Sequence, residues 1–340
     1  MTPRTDSQVS AGVGTVRPHE AAVRARLQAS RARLDEALAK ASDPSRMEAV
    51  LKEIDAAIEK INSGTFGVCE ICKEAIEPEY LATDPLMRIC LSHMSEEQQR
   101  TMERDLELAA RIQQQLLPEK HLHHDGWEVT HHYAPATVVS GDYCDVISGG
   151  PAHESFFMVG DASGKGVAAS LLMSQMHAIF RTLIGTLPGL PDLFCRANRL
   201  LTATTGSAQF ATLVCAAVNG TGRVRIINAG HCPPLIVKGG SVGEGESTGL
   251  PLGLFHNSDY DCRYVDLAPG DFLLFYTDGL TESRNASGEQ YGSERLVRLV
   301  GKSAALPSGA LLETILADLS AFHGTAPAED DLTIMVIRKL

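Results

Sequence analysis

Residues Phe156–Met173 read FFMVGDASGKGVAASLLM, and this stretch decides the fold of the larger part of the chain. Phe156 to Val159 is an apolar run of the strand type. Gly160 to Gly166 is small and turn-forming, with one carboxylate, Asp161, at the end of the run. From Gly166 to Thr186 the text is helical. The same grammar recurs on either side. Strand-type runs begin at Thr212 (TLVCAAV), Val224 (VRIINAG), Asp271 (DFLLFYTDG) and Leu332 (LTIMVI), and helical text covers Pro191–Thr204 and Ser308–Phe322. KGGSVGEGESTG from Lys238 reads as a loop by composition. Several β runs with few helices between them, and no strict βαβ alternation, predict an α+β sandwich rather than a doubly wound parallel sheet.

The whole chain has 340 residues, room for about two domains at roughly 150 residues each. It is 44% hydrophobic and 21% charged, an ordinary globular balance. A formal charge of −12 argues against a nucleic-acid backbone binder. No apolar run approaches the roughly 18 residues of a membrane helix, and the N-terminus has no apolar signal core, so a cytoplasmic location is expected and no membrane partner. Residues 1–17 read as a disordered leader. Residues 18–63 read as a helical hairpin turning at ASDPS, with Met47, Val50, Leu51, Ile54, Ile58 and Ile61 at helical spacing on its second arm. A cysteine-bearing segment follows at 64–94, a linker helix at 95–118, and the sandwich at 119–340.

Cys69-x₂-Cys72, seventeen residues, then Cys90-x₂-His93 sets two ligand pairs on two tight turns. Three thiolates and one imidazole in tetrahedral reach suit Zn²⁺, and with every position filled by protein the site would be structural. The surrounding text, IDAAIEKINSGTFGVCEICKEAIEPEYLATDPLMRIC, resembles the DksA/TraR zinc-finger family, with His93 where that family often has a fourth Cys. The founding members of that family act on RNA polymerase through acidic residues at a coiled-coil tip. Here the turn offers Asp43 alone, so polymerase contact is not the favoured reading and a structural or sensing knob is.

Four aspartates stand at the ends of strand-type runs: Asp142 in SGDYCDV, Asp161 in GDASG, Asp278 in YTDG and Asp330 in EDDLT. A single Asp in such a place is usually a cap or turn residue. Four together suit Mg²⁺ or Mn²⁺, and a pair of such ions can hold a phosphate for in-line attack by hydroxide. From DLELAARIQQQLLP through SGDYCDV, GDASGKGVAASLLM, FATLVCAAV, INAGHCPPL, LPLGL, GDFLLFYTDGLTESRNASGEQYG and EDDLTIMVI, the chain resembles the bacterial PPM (type 2C) serine/threonine protein phosphatases of the SpoIIE/RsbU branch. The resemblance implies an αββα sandwich with two Mn²⁺ or Mg²⁺ ions. It implies that Asp142, Asp161, Asp278 and Asp330 hold them, with the Ala162 carbonyl contributing through water and Asp145 and Asp331 standing behind the ligands. It also implies direct hydrolysis without a phosphoenzyme, on a phosphorylated anti-anti-sigma (STAS-domain) protein, in a partner-switching pathway. The rival reading is an RNA polymerase-associated zinc-finger regulator carrying a degenerate phosphatase scaffold; the complete aspartate set argues against it.

Other candidates read more plainly. GDASGKG is not a Walker loop: only three residues separate Gly160 and Gly164, and Gly166 rather than Ser or Thr follows Lys165. His231 is either a general acid or a cleft-wall histidine, the second being favoured. The histidines at 121, 123, 124, 131 and 132 are expected on a solvated loop and an edge strand, and Trp127 in the core. Met102, Leu106, Ala109, Ile112 and Leu116 line one face of the linker helix, and homodimerisation through that helix is expected.

Overall fold

The computed structural model describes residues 23–24, 27–28, 31, 45–77, 81, 85–149, 154–187, 189–205, 209–324 and 330–340. The expected leader, most of the first hairpin arm and its turn lie outside these residues. The chain divides into two compact units, Met1–Met102 and Glu103–Leu340. No described helix is long and apolar enough to cross a membrane.

In the first unit, helix α1 (Ser45–Ser63) buries Ile54, Ala57 and Ile61, three and four residues apart, against Leu27. It ends at Gly64, whose φ of 70° releases the chain into the cysteine segment. There Cys69, Ile76, Leu81 and Cys90 form a second small core. Helix α2 (Glu96–Leu116) opens with a reciprocal cap. The Gln98 N–H donates to Ser95 Oγ at 3.2 Å, and the Ser95 N–H donates to Gln98 Oε1 at 3.0 Å.

The second unit is built on two antiparallel sheets. One contains β3 (Asp142–Ser148), β4 (Ser155–Ala162), β5 (Ala211–Val218), β6 (Arg223–Ala229) and β9 (Arg263–Asp266), in the order β3-β4-β5-β6-β9. The other contains β1 (His121–His124), β2 (Trp127–Ala134), β7 (Leu235–Lys238), β8 (Ser241–Glu244), β10 (Phe272–Tyr276) and β11 (Leu332–Lys339), in the order β1-β2-β11-β10-β7-β8. Helices α3 (Gly166–Leu183) and α4 (Leu190–Thr204) cover the first sheet. After the single turn α5 (Asp278–Thr281), helices α6 (Ser293–Ser303) and α7 (Ser308–His323) cover the second.

The period-2 rule explains why the inner strands read as continuous apolar runs: both of their faces are buried. On β4, Phe156 and Met158 face the helix layer while Phe157 and Val159 face the opposite sheet. On β10, Leu273 and Phe275 face that inter-sheet core, and Phe272, Leu274 and Tyr276 face α6 and α7. Trp127 is fully buried between the sheets, as expected.

Three readings of the sequence are corrected. The stretch after Lys238 is not all loop: Lys238 and Ser241 pair across a Gly239-Gly240 turn, and β8 forms a hairpin with β7. Its strand is half glycine and glutamate, so it carries no apolar alternation to read. The histidines of β1 do lie on an edge strand, but β2 is an inner strand and His131 is buried on it. Burial pushes the His131 imidazole down to about 4, so it is neutral near pH 7. Helix α6, which the sequence reading passed over, buries Leu296 and Val300 fully and packs Val297 and Leu299 partly against the same core.

Candidate active site and sulfur cluster

The register of the sheets brings the aspartates to one end of the sandwich. Asp142 opens β3 directly opposite Asp161 near the end of β4. Asp278 follows β10, and Asp330 and Asp331 precede its neighbour β11, with Tyr276 opposite Ile334. The two backbones cross so closely here that a Cβ on Gly279 would sit 1.9 Å from the Asp331 carbonyl oxygen. Only glycine fits, which accounts for the residue after Asp278.

The carboxylates differ in what holds them. Asp142 is 2% exposed, and its Oδ2 accepts hydrogen bonds from Thr277 Oγ1 at 3.0 Å and Thr333 Oγ1 at 2.6 Å. Burial pushes its carboxyl well above the usual range, and Asp161 and Asp331 add to the shift. Asp331 clamps two loops: its Oδ1 accepts the Ala136 N–H and its Oδ2 the Gly141 N–H, both at 2.8 Å. Asp161 is pushed up to about 7, first by burial and then by Asp278, Asp330 and Asp331. Asp278 is raised by burial, Asp330 and Glu282. Asp330 is open to solvent and pairs with Lys165 Nζ at 3.2 Å. Ala162 is buried and donates its N–H to the Gly141 carbonyl at 3.2 Å. Hard oxygen donors crowded so that they repel one another fit divalent Mn²⁺ or Mg²⁺.

Around this basin the fold is tied by polar contacts the sequence reading missed. Gln113, buried on α2, donates to the Ser140 carbonyl at 2.6 Å and accepts the Ser140 N–H at 2.9 Å. Ser140 Oγ in turn accepts the Asp142 N–H at 3.0 Å. Arg181 of α3 grips the fully buried Asp145 through two hydrogen bonds, 3.0 and 2.8 Å, and the Tyr143 hydroxyl donates to the same carboxylate. The signal for Thr277 and Thr333 was their polarity at the ends of apolar runs. Gln113 carried none beyond its helical spacing.

His231 is buried. Its Nδ1 is 2.8 Å from Thr212 Oγ1, and its N–H donates to Asn228 Oδ1 at 2.8 Å. Burial pushes its imidazole down to about 4. It therefore carries no imidazolium proton near neutral pH, which favours the cleft-wall reading.

In the first unit, the ligand atoms of Cys69, Cys72, Cys90 and His93 all lie within 4.8 Å of one another. Cys72 Sγ to Cys90 Sγ is 3.7 Å, Cys69 Sγ to His93 Nδ1 4.0 Å, and Cys90 Sγ to His93 Nδ1 3.1 Å. A tetrahedron with metal–sulfur bonds of about 2.3 Å has edges of nearly 3.8 Å, so the set fits zinc. Beside it, Glu70 joins Lys60 and Arg88, and hydrogen bonds from Arg88 and then Lys60 draw its carboxyl down to about 2.

Two sheets packed face to face between helix layers, with aspartates gathered at their strand ends, define a PPM-type phosphatase domain. A family model described as Stage II sporulation protein E (SpoIIE) matches residues 151–340, and the chain belongs to that family. It is 27% identical over 249 residues to the phosphoserine phosphatase RsbU of Bacillus subtilis, covering 71% of this chain and 72% of that one. It is 28% identical over 262 residues to protein IcfG of Synechocystis, covering 68% of this chain but only 41% of IcfG. Among solved structures, the SiaA-PP2C domain of Pseudomonas aeruginosa shares the fold at TM-score 0.63 and 22% identity, over 72% of this chain and 99% of that one. The RsbU and RsbW domains of Rv1364c from Mycobacterium tuberculosis align at TM-score 0.54 and 28% identity, over 63% of this chain and 60% of that one.

Proposed function

We propose that the chain is a metal-dependent phosphatase acting on phosphoserine or phosphothreonine in a protein, with a STAS-domain protein of a partner-switching pathway as substrate. The observation that carries this reading is the convergence of Asp142, Asp161, Asp278 and Asp330 from four strand ends of a SpoIIE-family fold. When bound, a pair of Mn²⁺ or Mg²⁺ ions supplies the hydrolytic water and neutralises charge on the phosphoryl oxygens. The residues' part is to place that chemistry. Asp161, Asp278 and Asp330 would hold the ions from opposite sheets. Asp142 would offer its second oxygen, the first being held by Thr277 and Thr333. The Ala162 carbonyl would contribute through water, while Asp331 fixes the loops at Ala136 and Gly141. Hydrolysis of p-nitrophenyl phosphate with and without Mn²⁺ tests the activity, and a pull-down with an Asp161→Asn variant tests the substrate.

The sulfur cluster would hold one structural Zn²⁺ in a DksA/TraR-like finger over 64–94, preceded by the hairpin and followed by the linker helix. Dimerisation through that helix is part of the same proposal. Leu108 and Ile112 are half exposed on α2, while Leu116 packs into the core beneath α3. Because Gln113 of this helix grips Ser140, a change in the helix has a route to Asp142. Leu106→Glu with Ile112→Glu should halve the mass seen by light scattering; a monomeric wild type would remove the dimer from the scheme.

A further inference from the structure

The basin presents a difficulty for its own substrate. A phosphate monoester is a dianion, and the carboxylates of Asp161, Asp278, Glu282 and Asp330 act on one another at its mouth. Ions held among these groups would neutralise the phosphoryl oxygens that face them, which leaves a phosphoryl oxygen turned to solvent to a positive group of the protein. Lys165 is placed to be that group. It stands in extended backbone immediately before α3, with Gly164 at φ 98° and Gly166 at φ 67° on either side. A Cβ at either glycine would meet nothing within 4 Å, so these glycines answer to backbone shape rather than to packing. The loop is anchored behind the lysine. The Ser163 N–H donates to the Phe210 carbonyl at 2.8 Å, and the Phe210 N–H donates to Ser163 Oγ at 2.9 Å. The turn thus delivers a side chain that is 57% exposed, with its Nζ 3.2 Å from Asp330 Oδ2. Its charge also reaches Asp161 and Asp278, opposing the rise in both carboxyls.

We propose that Lys165 binds a peripheral oxygen of the substrate phosphoryl group, exchanging its contact with Asp330 for the phosphate when that carboxylate turns to an ion. A compact ammonium on a flexible stem suits such an exchange, since it can follow an oxygen without a fixed fork geometry. The inference rests on the phosphatase reading of the same site. It differs from a purely structural role, in which Lys165 orders Asp330 and its loss weakens ion binding first.

The test uses the full chain with Mn²⁺, calorimetric binding of inorganic phosphate, and hydrolysis of p-nitrophenyl phosphate. Lys165→Gln should weaken phosphate binding and raise KM by about tenfold, the usual scale of one charge-assisted hydrogen bond. Its kcat should stay within about threefold and its Mn²⁺ affinity should not change; Lys165→Arg should recover most of the loss. Unchanged phosphate affinity in Lys165→Gln, or a loss that follows weakened Mn²⁺ binding, overturns the assignment. A wild type that neither binds phosphate nor hydrolyses the ester overturns the phosphatase reading itself, and this inference with it.

Discussion

The sulfur cluster of the first unit and the acid basin of the second gather their ligands in opposite ways. Cys69, Cys72, Cys90 and His93 come from one short segment with little apolar core of its own, so the geometry of the cluster and the fold of the segment depend on each other. The basin draws on residues 142 to 331, and sheets whose inner strands are buried on both faces hold it in place. A zinc ion proposed for the first arrangement would make metal binding a folding event. The second lets carboxylates be held against their own repulsion, as the raised Asp161 and Asp278 show.

The largest effect separating the two regions should come from neutralising a basin carboxylate. Asp161→Asn and Asp278→Asn are each expected to lower Mn²⁺-dependent turnover by at least about a hundredfold, since each removes a charge from the ion site. The fold should persist, because in both cases a repulsive group leaves a pre-formed basin. Circular dichroism and thermal melts check the fold alongside the rates. Near-wild-type turnover at saturating Mn²⁺ would break the assignment.

Cys69→Ser should do the reverse. Elemental analysis of the wild type should find one zinc per chain, and the variant should lose it. Proteolysis should then open the first unit, while basal hydrolysis of p-nitrophenyl phosphate stays within about twofold. If catalysis falls in step with zinc, the two regions are not separable in the way their construction suggests.

A change of pH sharpens the contrast further. Asp161 is pushed up to about 7, so below that value an incoming ion must displace a proton. Mn²⁺ affinity should therefore weaken as pH falls below about 7, by roughly tenfold per unit for each proton displaced, and Asp161→Asn should make the fall shallower while Asp142 and Asp278, also raised, keep part of it. The sign for stability runs the other way. A carboxyl raised in the folded state stabilises the ion-free protein at low pH, and that contribution is lost as pH rises from the ordinary carboxylate range through 7. The Asp161→Asn variant should accordingly gain on the wild type over that interval. His131 and His231, held near 4, push the overall curve in the opposite direction, so the difference between the two proteins is the quantity to measure.

How far the sequence could be read follows from the same contrast. The sulfur set is legible because two short spacings encode it directly. The basin is legible because strand-end carboxylates punctuate apolar runs, and the runs are long because both faces of the inner strands are buried. What escaped is what depends on register across sheets. Nothing local in Thr277 or Thr333 says that their hydroxyls meet at one oxygen of Asp142, and nothing local in Gln113 says that it grips Ser140. The β7–β8 hairpin escaped for another reason: Gly243 and Glu244 give its outer strand no alternation, so backbone pairing rather than side-chain burial forms it.

The smallest expected effect lies in that hidden layer. Thr333→Val keeps shape and removes one hydroxyl, leaving Thr277 as the donor to Asp142 Oδ2. Valine suits a strand position that is fully buried, so no unpaired polar group is created on its side. The loss falls on the buried carboxylate, which keeps one of its two hydroxyl donors. A destabilisation of about 1–2 kcal/mol in urea follows from the usual worth of a hydrogen bond to a charged or partly charged group. The Asp142 carboxyl should rise further, since both threonine contacts oppose its burial shift. Mn²⁺ affinity should drop by only a few fold, because one donor and the sheet still hold the side chain. A neutral substitution in both measurements would mean that the sheets and Thr277 suffice to fix Asp142. Thr333 would then be a filler of the strand rather than a support of the acid basin.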